Sequence, residues 1–127
     1  MPNDDFSETF KQLKAIFKPY ADKLIVVHDT VTNYYLDTHH VMKNKQRIFF
    51  GGVRTGKGYV SFHLMPVYAS SELLNTISPE LKKRMQGKSC FNFKTRDEKL
   101  FKELAKLTKA GFKMFHDPKF LQKILPG

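Results

Sequence analysis

Residues 47–67 read RIFFGGVRTGKGYVSFHLMPV, and the fold follows from how this stretch is read. Two apolar-rich runs, Arg47 to Arg54 and Tyr59 to Val67, flank Thr55-Gly56-Lys57-Gly58. The glycines of that connection tolerate positive φ, which is what a β-hairpin turn requires. Side chains alternate along a strand, so Val60, Phe62 and Leu64 point one way and Tyr59, Ser61, His63 and Met65 the other. Pro66 cannot donate to a ladder and marks a strand end or edge. The facing of Arg47 to Arg54 stays open, because Phe49 and Phe50 point opposite ways.

Working outward, Leu24 to Val27 reads as a short strand, His28 to Asn33 as a polar turn and Tyr34 to Leu36 as a second strand. Thr38 to Gln46 is polar and reads as a loop. Lys88 to Lys94 is a further strand, with Ser89, Phe91 and Phe93 on one side and Cys90, Asn92 and Lys94 on the other. Helices surround these strands. The first starts near Asn3 or Asp4, where Asp4, Asp5 and Glu8 suit its positive end. Phe6, Phe10, Leu13, Ile16 and Phe17 form its apolar stripe, and Pro19 ends it. Ser70 or Ser71 caps a short helix through Ile77. Ser78-Pro79-Glu80 opens another that Gly87 ends. Thr95-Arg96-Asp97-Glu98 is a capping box for the longest helix, which runs to about Phe115. Asp117-Pro118 starts a brief terminal helix with Phe120, Leu121 and Ile124. Residues 1–127 show no repeat or linker and are read as one domain. Strands joined mostly without crossover helices make a largely antiparallel sheet. Helices at the two chain ends cover one face, giving an α+β two-layer sandwich.

The totals agree. A chain of 127 residues with twelve Phe and no Trp can bury a core without metal or disulfide staples. Cys90 is the only cysteine, which excludes an intramolecular disulfide and a multi-cysteine metal site. No apolar run reaches the roughly 20 residues that span a bilayer. The polar, acidic start lacks the chemistry of a targeting peptide, so the cytoplasm is the expected compartment. Net charge is +10. Residues 1–63 hold nine Lys/Arg against six Asp/Glu, and residues 64–127 thirteen against six. That imbalance suits nucleic acid or another polyanion as a partner.

Four blocks carry a resemblance: His28 to Leu36, Phe49 to Arg54, Gly58 to Tyr68, and Ser78 to Phe93 with its Ser78-Pro79-Glu80-Leu81 start. Together they resemble the YdhG-like family of small bacterial proteins, built on a domain of unknown function, over roughly Phe17 to Phe115. The resemblance implies a compact α+β domain with helices at the chain ends, and no catalytic residues. That family is sometimes compared with frataxin-like iron chaperones. Iron binding of that type uses a ridge of carboxylates, and the twelve acids of this chain are scattered.

Several motifs bear on chemistry. Gly51 to Lys57 spells G-x-x-x-x-G-K, but Gly58 stands where a phosphate-binding loop has Ser or Thr, and a strand follows instead of a helix. The hairpin reading is preferred. Lys99, Lys102, Lys106, Lys109 and Lys113 recur at helical spacing opposite Leu100, Phe101, Leu104, Leu107, Phe112 and Phe115. Any amphipathic helix needs a solvated face; this one is also a candidate polyanion contact. The histidines, including adjacent His39 and His40, lack the spacing of a known metal site, so no metal and no cofactor is expected. Ser61 and His63 share a strand face that Cys90 could approach, yet a lone cysteine is ordinarily a small, partly buried hydrophobe.

Strand parity gives the main expectation. With Val60, Phe62, Leu64, Phe91, Phe93, Tyr34 and Leu36 under the helices, a second face carries Asn33, Tyr35, Ser61, His63 and Asn92, with Cys90, Asp37, Tyr59 and Met65. Polar groups among aromatics are how small-ligand pockets are lined. A solvent-facing sheet or a homodimer interface is the ordinary alternative. The expected function is non-enzymatic binding of a small ligand or protein partner on that face. Polyanion binding by the lysine stripe, and a frataxin-like metal chaperone or small enzyme, are the rivals.

Overall fold

A computed structural model of the chain describes residues 2–87, 89–117 and 119–120. Helix α1 (Pro2–Phe17) passes into a 3₁₀ turn (Lys18–Lys23) that carries Pro19. Strands β1 (Ile25–Asp29), β2 (Asn33–Val41), β3 (Arg47–Thr55) and β4 (Val60–Leu64) follow. Three short helices, α2 (Met65–Ala69), α3 (Ser71–Asn75) and α4 (Pro79–Lys82), lead to β5 (Cys90–Phe93) and the long helix α5 (Glu98–Phe115). The sheet order is β1-β2-β3-β4-β5, and every neighbouring pair is antiparallel. With α1 and α5 packed on one face, this is an α+β fold.

The core lies between that face and the helices. Val60, Phe62 and Leu64 are fully buried, as are Leu36, Phe50 and Phe91. Phe17 of α1 stacks on Phe62 with centroids 4.7 Å apart and planes 9° from parallel. At the two ends of α5, Phe101 meets Phe93 edge-on at 5.0 Å and Phe115 meets Phe50 at 6.0 Å. Such pairs add about 0.5–1.5 kcal/mol each beyond area burial. Lys14 of α1 reaches Asp29 of β1 at 2.6 Å and sits 4.9 Å from the Tyr34 ring. Because Asp29 is half exposed, that ion pair contributes less than about 1 kcal/mol.

Several boundaries differ from the sequence reading. Strand β2 continues through Thr38, His39 and His40, residues whose polarity reads as a loop. These residues form an irregular stretch beside β3, between the Asp37–Phe49 and Val41–Arg47 pairs, and the buried Thr38 hydroxyl donates to the Ile48 carbonyl at 2.9 Å. The apolar run after Leu64 turns helical at Met65, with Pro66 in the first turn, where a missing N–H costs nothing. Asp97, rather than Thr95, caps α5 by accepting from the Leu100 N–H. Gly87 has φ +81° in the turn before β5 and lies beyond the end of α4. Of the terminal helix expected after Asp117, Leu121 and Ile124 lie outside the described residues.

Ser78 ties α4 to α5. Its hydroxyl accepts from the Leu81 N–H and donates to Glu103 at 2.6 Å, while its own N–H donates to the same carboxylate at 2.8 Å. Ser78→Ala is expected to cost about 1–2 kcal/mol in urea unfolding, the upper range for a lost N-cap. A loss below about 0.3 kcal/mol would show that Glu103 and Leu81 find other partners.

Candidate functional site

The surface away from the helices is organised in cross-strand rows. One row crosses the whole sheet: His28 opposite Tyr35, Tyr35 opposite Gly52, Gly52 opposite His63, and His63 opposite Cys90. The next row holds Asn33, Arg54, Ser61 and Asn92. All five residues expected on this face, Asn33, Tyr35, Ser61, His63 and Asn92, therefore lie on it, in two adjacent rows.

Two bulges complete the site. In β3 the register steps from Leu36 opposite Gly51 to Asp37 opposite Phe49, so Phe50 is the extra residue. Phe50 and Gly51 both face the core as a result. Phe49 is returned to the outer face, where its ring stacks on Tyr35 at 4.5 Å. The facing left open by sequence is settled by this bulge. In β1 the register steps between Val26 and His28, which places His28 edge-on to Tyr35 at 5.8 Å. A bulge re-aims side chains in this way.

Gly52 contributes no side chain to the middle of the long row, and a hollow of about 380 Å³ opens over it. Tyr35 and His63 stand on either side, Phe49 and Arg54 lie along β3 in the two directions, and His28 and Asn33 complete the rim. The volume falls at the small end of ligand pockets. A side chain on Gly52 is also excluded from below, since a Cβ there would lie 2.5 Å from the Tyr34 carbonyl oxygen.

Ser61 and Asn92 do not line the hollow. They form a polar cluster beside it: the Ser61 hydroxyl donates to Asn92 Oδ1 at 2.6 Å, Cys90 Sγ donates to the same oxygen at 3.4 Å, and Cys90 Sγ lies 3.6 Å from His63 Nε2. Burial pushes the Cys90 thiol up, only partly countered by the Ser61 hydroxyl. Burial first, and the nearby Arg54 charge second, hold the His63 imidazolium below the usual histidine range. The two groups are therefore a neutral thiol and a neutral imidazole near pH 7. A cysteine nucleophile needs the opposite, a thiolate stabilised by a cation. No family model, curated protein or solved structure matches the chain. The functional reading accordingly rests on these side chains.

The two rival sites can be placed as well. Lys99, Lys102, Lys106, Lys109 and Lys113 are all exposed on the outer side of α5. Among the described residues the only ion pairs are Lys14 with Asp29 and Arg47 with Asp37, so no lysine of the stripe is held in one. His39, His40 and His116 border a second hollow of about 310 Å³ with Lys23 and Phe112. No three His, Cys, Asp or Glu side chains among the described residues converge as a metal site. No helix among them is long and apolar enough to cross a membrane.

His63 also makes stability depend on pH. The unfolded chain, with an ordinary histidine pKa of 6.5, takes up a proton before the folded chain does. Stability linked to His63 is thus complete above that value and is lost as pH falls through it toward the lower folded pKa. His63→Gln, which cannot take the proton, is expected to lose less Tm than the parent chain between about pH 7.5 and about pH 5.5. Equal losses would contradict the burial of a neutral imidazole.

Proposed function

We propose that this protein is a non-enzymatic binding domain that holds a small ligand in the hollow over Gly52, on the sheet face opposite the helices. The observation that carries the reading is the row Tyr35-Gly52-His63, an aromatic wall and an imidazole wall separated by a residue with no side chain. Rigid strands supply all these groups, so the hollow needs no loop to order before binding. The neutral Cys90–His63 pair argues for binding over covalent chemistry. Membership of the YdhG-like family and a cytoplasmic setting belong to the same proposal. The first rests on the four sequence blocks, the second on the single cysteine.

A fragment screen followed by ¹H–¹⁵N spectra tests the reading. Hits are expected to shift the amides of Tyr35, Gly52, Arg54 and His63 together. Hits that consistently shift other surfaces and leave these four unmoved would remove it.

The unpaired lysine stripe of α5 supports a second reading, a polyanion contact. Five lysines over the fifteen residues from Lys99 to Lys113 span about 21 Å of helix. Binding to duplex DNA or RNA through them would weaken steeply with salt, with a log–log slope of about −0.9 per phosphate neutralised. Gel shifts at about 50 mM salt that show no retention would end this reading.

A further inference from the structure

We infer that the hollow over Gly52 takes a planar aromatic carboxylate, its ring against Tyr35 and Phe49 and its carboxylate toward Arg54 and His63. The inference rests on the hollow being a ligand site, and adds the ligand's chemistry. Two observations carry it.

The lining is polarised along β3. Phe49 lies on one side of Gly52, stacked with Tyr35, and Arg54 lies on the other, two residues or about 6.6 Å along the strand. A ligand that is apolar at one end and polar at the other matches this direction. A ligand of uniform character would leave one end unmatched.

The charge in the hollow is of one sign. Arg54 is its only permanently charged lining residue, and no Asp or Glu lines it. Arg54 is in neither of the ion pairs among the described residues. Exposed Arg54 is free to meet an anion, and guanidinium–carboxylate geometry favours a carboxylate.

His63 then links binding to protons. The groups facing it are Tyr35 across Gly52, Arg54 on β3, Ser61 on its own strand, and Cys90 and Asn92 on β5; of these only Arg54 carries charge near pH 7. A seated carboxylate offsets Arg54 and favours the imidazolium. Binding therefore takes up a proton, and affinity rises as pH falls from about 7.5 to about 5.5, a range in which an aromatic carboxylate stays ionised.

The test uses the intact, ¹⁵N-labelled chain titrated with benzoate, benzyl alcohol, benzylamine and acetate. Benzoate is expected to shift the Tyr35, Gly52 and Arg54 amides and to bind about tenfold or more tighter than the other three, the scale of one charge-assisted hydrogen bond added to ring burial. Arg54→Gln should remove most of that advantage while keeping a dispersed spectrum, bringing benzoate down to about the level of benzyl alcohol. His63→Gln should flatten the pH dependence. Benzyl alcohol or benzylamine matching benzoate at the same amides would overturn the carboxylate assignment but leave the hollow as a ligand site. Acetate matching benzoate would overturn the aromatic part. If none of the four moves those amides, the hollow itself is not the site.

Discussion

Phe62→Ala is expected to lower the unfolding free energy by about 3–5 kcal/mol, the range for removing a fully buried phenylalanine. Phe62 sits at the crossing of the two layers. Its ring stacks on Phe17 from α1 at 4.7 Å and lies 6.5 Å from Phe91 on β5. Neither neighbour can collapse freely into the space. Phe17 also meets Phe50 edge-on at 6.0 Å, and its ring already presses on the Gly51 backbone, where an added Cβ would be 2.7 Å away. The cavity therefore stays largely open, which places the cost toward the top of the range. Urea unfolding at fixed pH checks it. A loss under about 1 kcal/mol would mean that the helix layer does not sit on Phe62 as described.

Gly52→Ala is the second large effect, and it acts on stability and site together. The new Cβ would stand 2.5 Å from the Tyr34 carbonyl oxygen and 3.4 Å from Tyr35 Cα. Both are backbone atoms of β2, so relief requires the β2–β3 pairing to open and not a side chain to swing aside. Overpacking of this kind costs about 1–3 kcal/mol. The same methyl group fills the floor between Tyr35 and His63. The variant is expected to unfold at lower urea and, under conditions where it is folded, to lose the ligand shifts at Tyr35 and His63. Parent-like stability with unchanged ligand binding would show that β2 and β3 do not approach as closely as described.

Much of the fold is legible in the sequence because it follows from local rules. Alternation of Val60, Phe62 and Leu64 with Ser61 and His63 places β4 correctly. Ser78 before Pro79 marks a helix start, and the apolar stripe of α5 marks its buried side. The site is only half legible, for a physical reason. Tyr35 and His63 follow from parity, but Phe49 and His28 reach the outer face only through bulges, which are set by how strands pair over long range. Strict alternation inward from Val53 would send Phe50 outward and Phe49 to the core. Gly51 opens a phosphate-loop spacing that fails, and the Gly51-Gly52 doublet marks close approach instead: Gly51 to the Phe17 ring, Gly52 to β2. Thr38 to His40 conceals its strand for the opposite reason, since polar residues on a sheet margin carry strand geometry without an apolar signal.

The most direct test is to observe which protein protons lie against a ring held by the isolated domain. Intermolecular NOEs measured on the full chain saturated with benzoate should connect the ligand's ring protons to Gly52 Hα and to ring protons of Tyr35 and Phe49. NOEs running instead to the His39, Phe112 and His116 hollow, or to the lysine side chains of α5, would contradict the assignment of the outer sheet face as the binding surface.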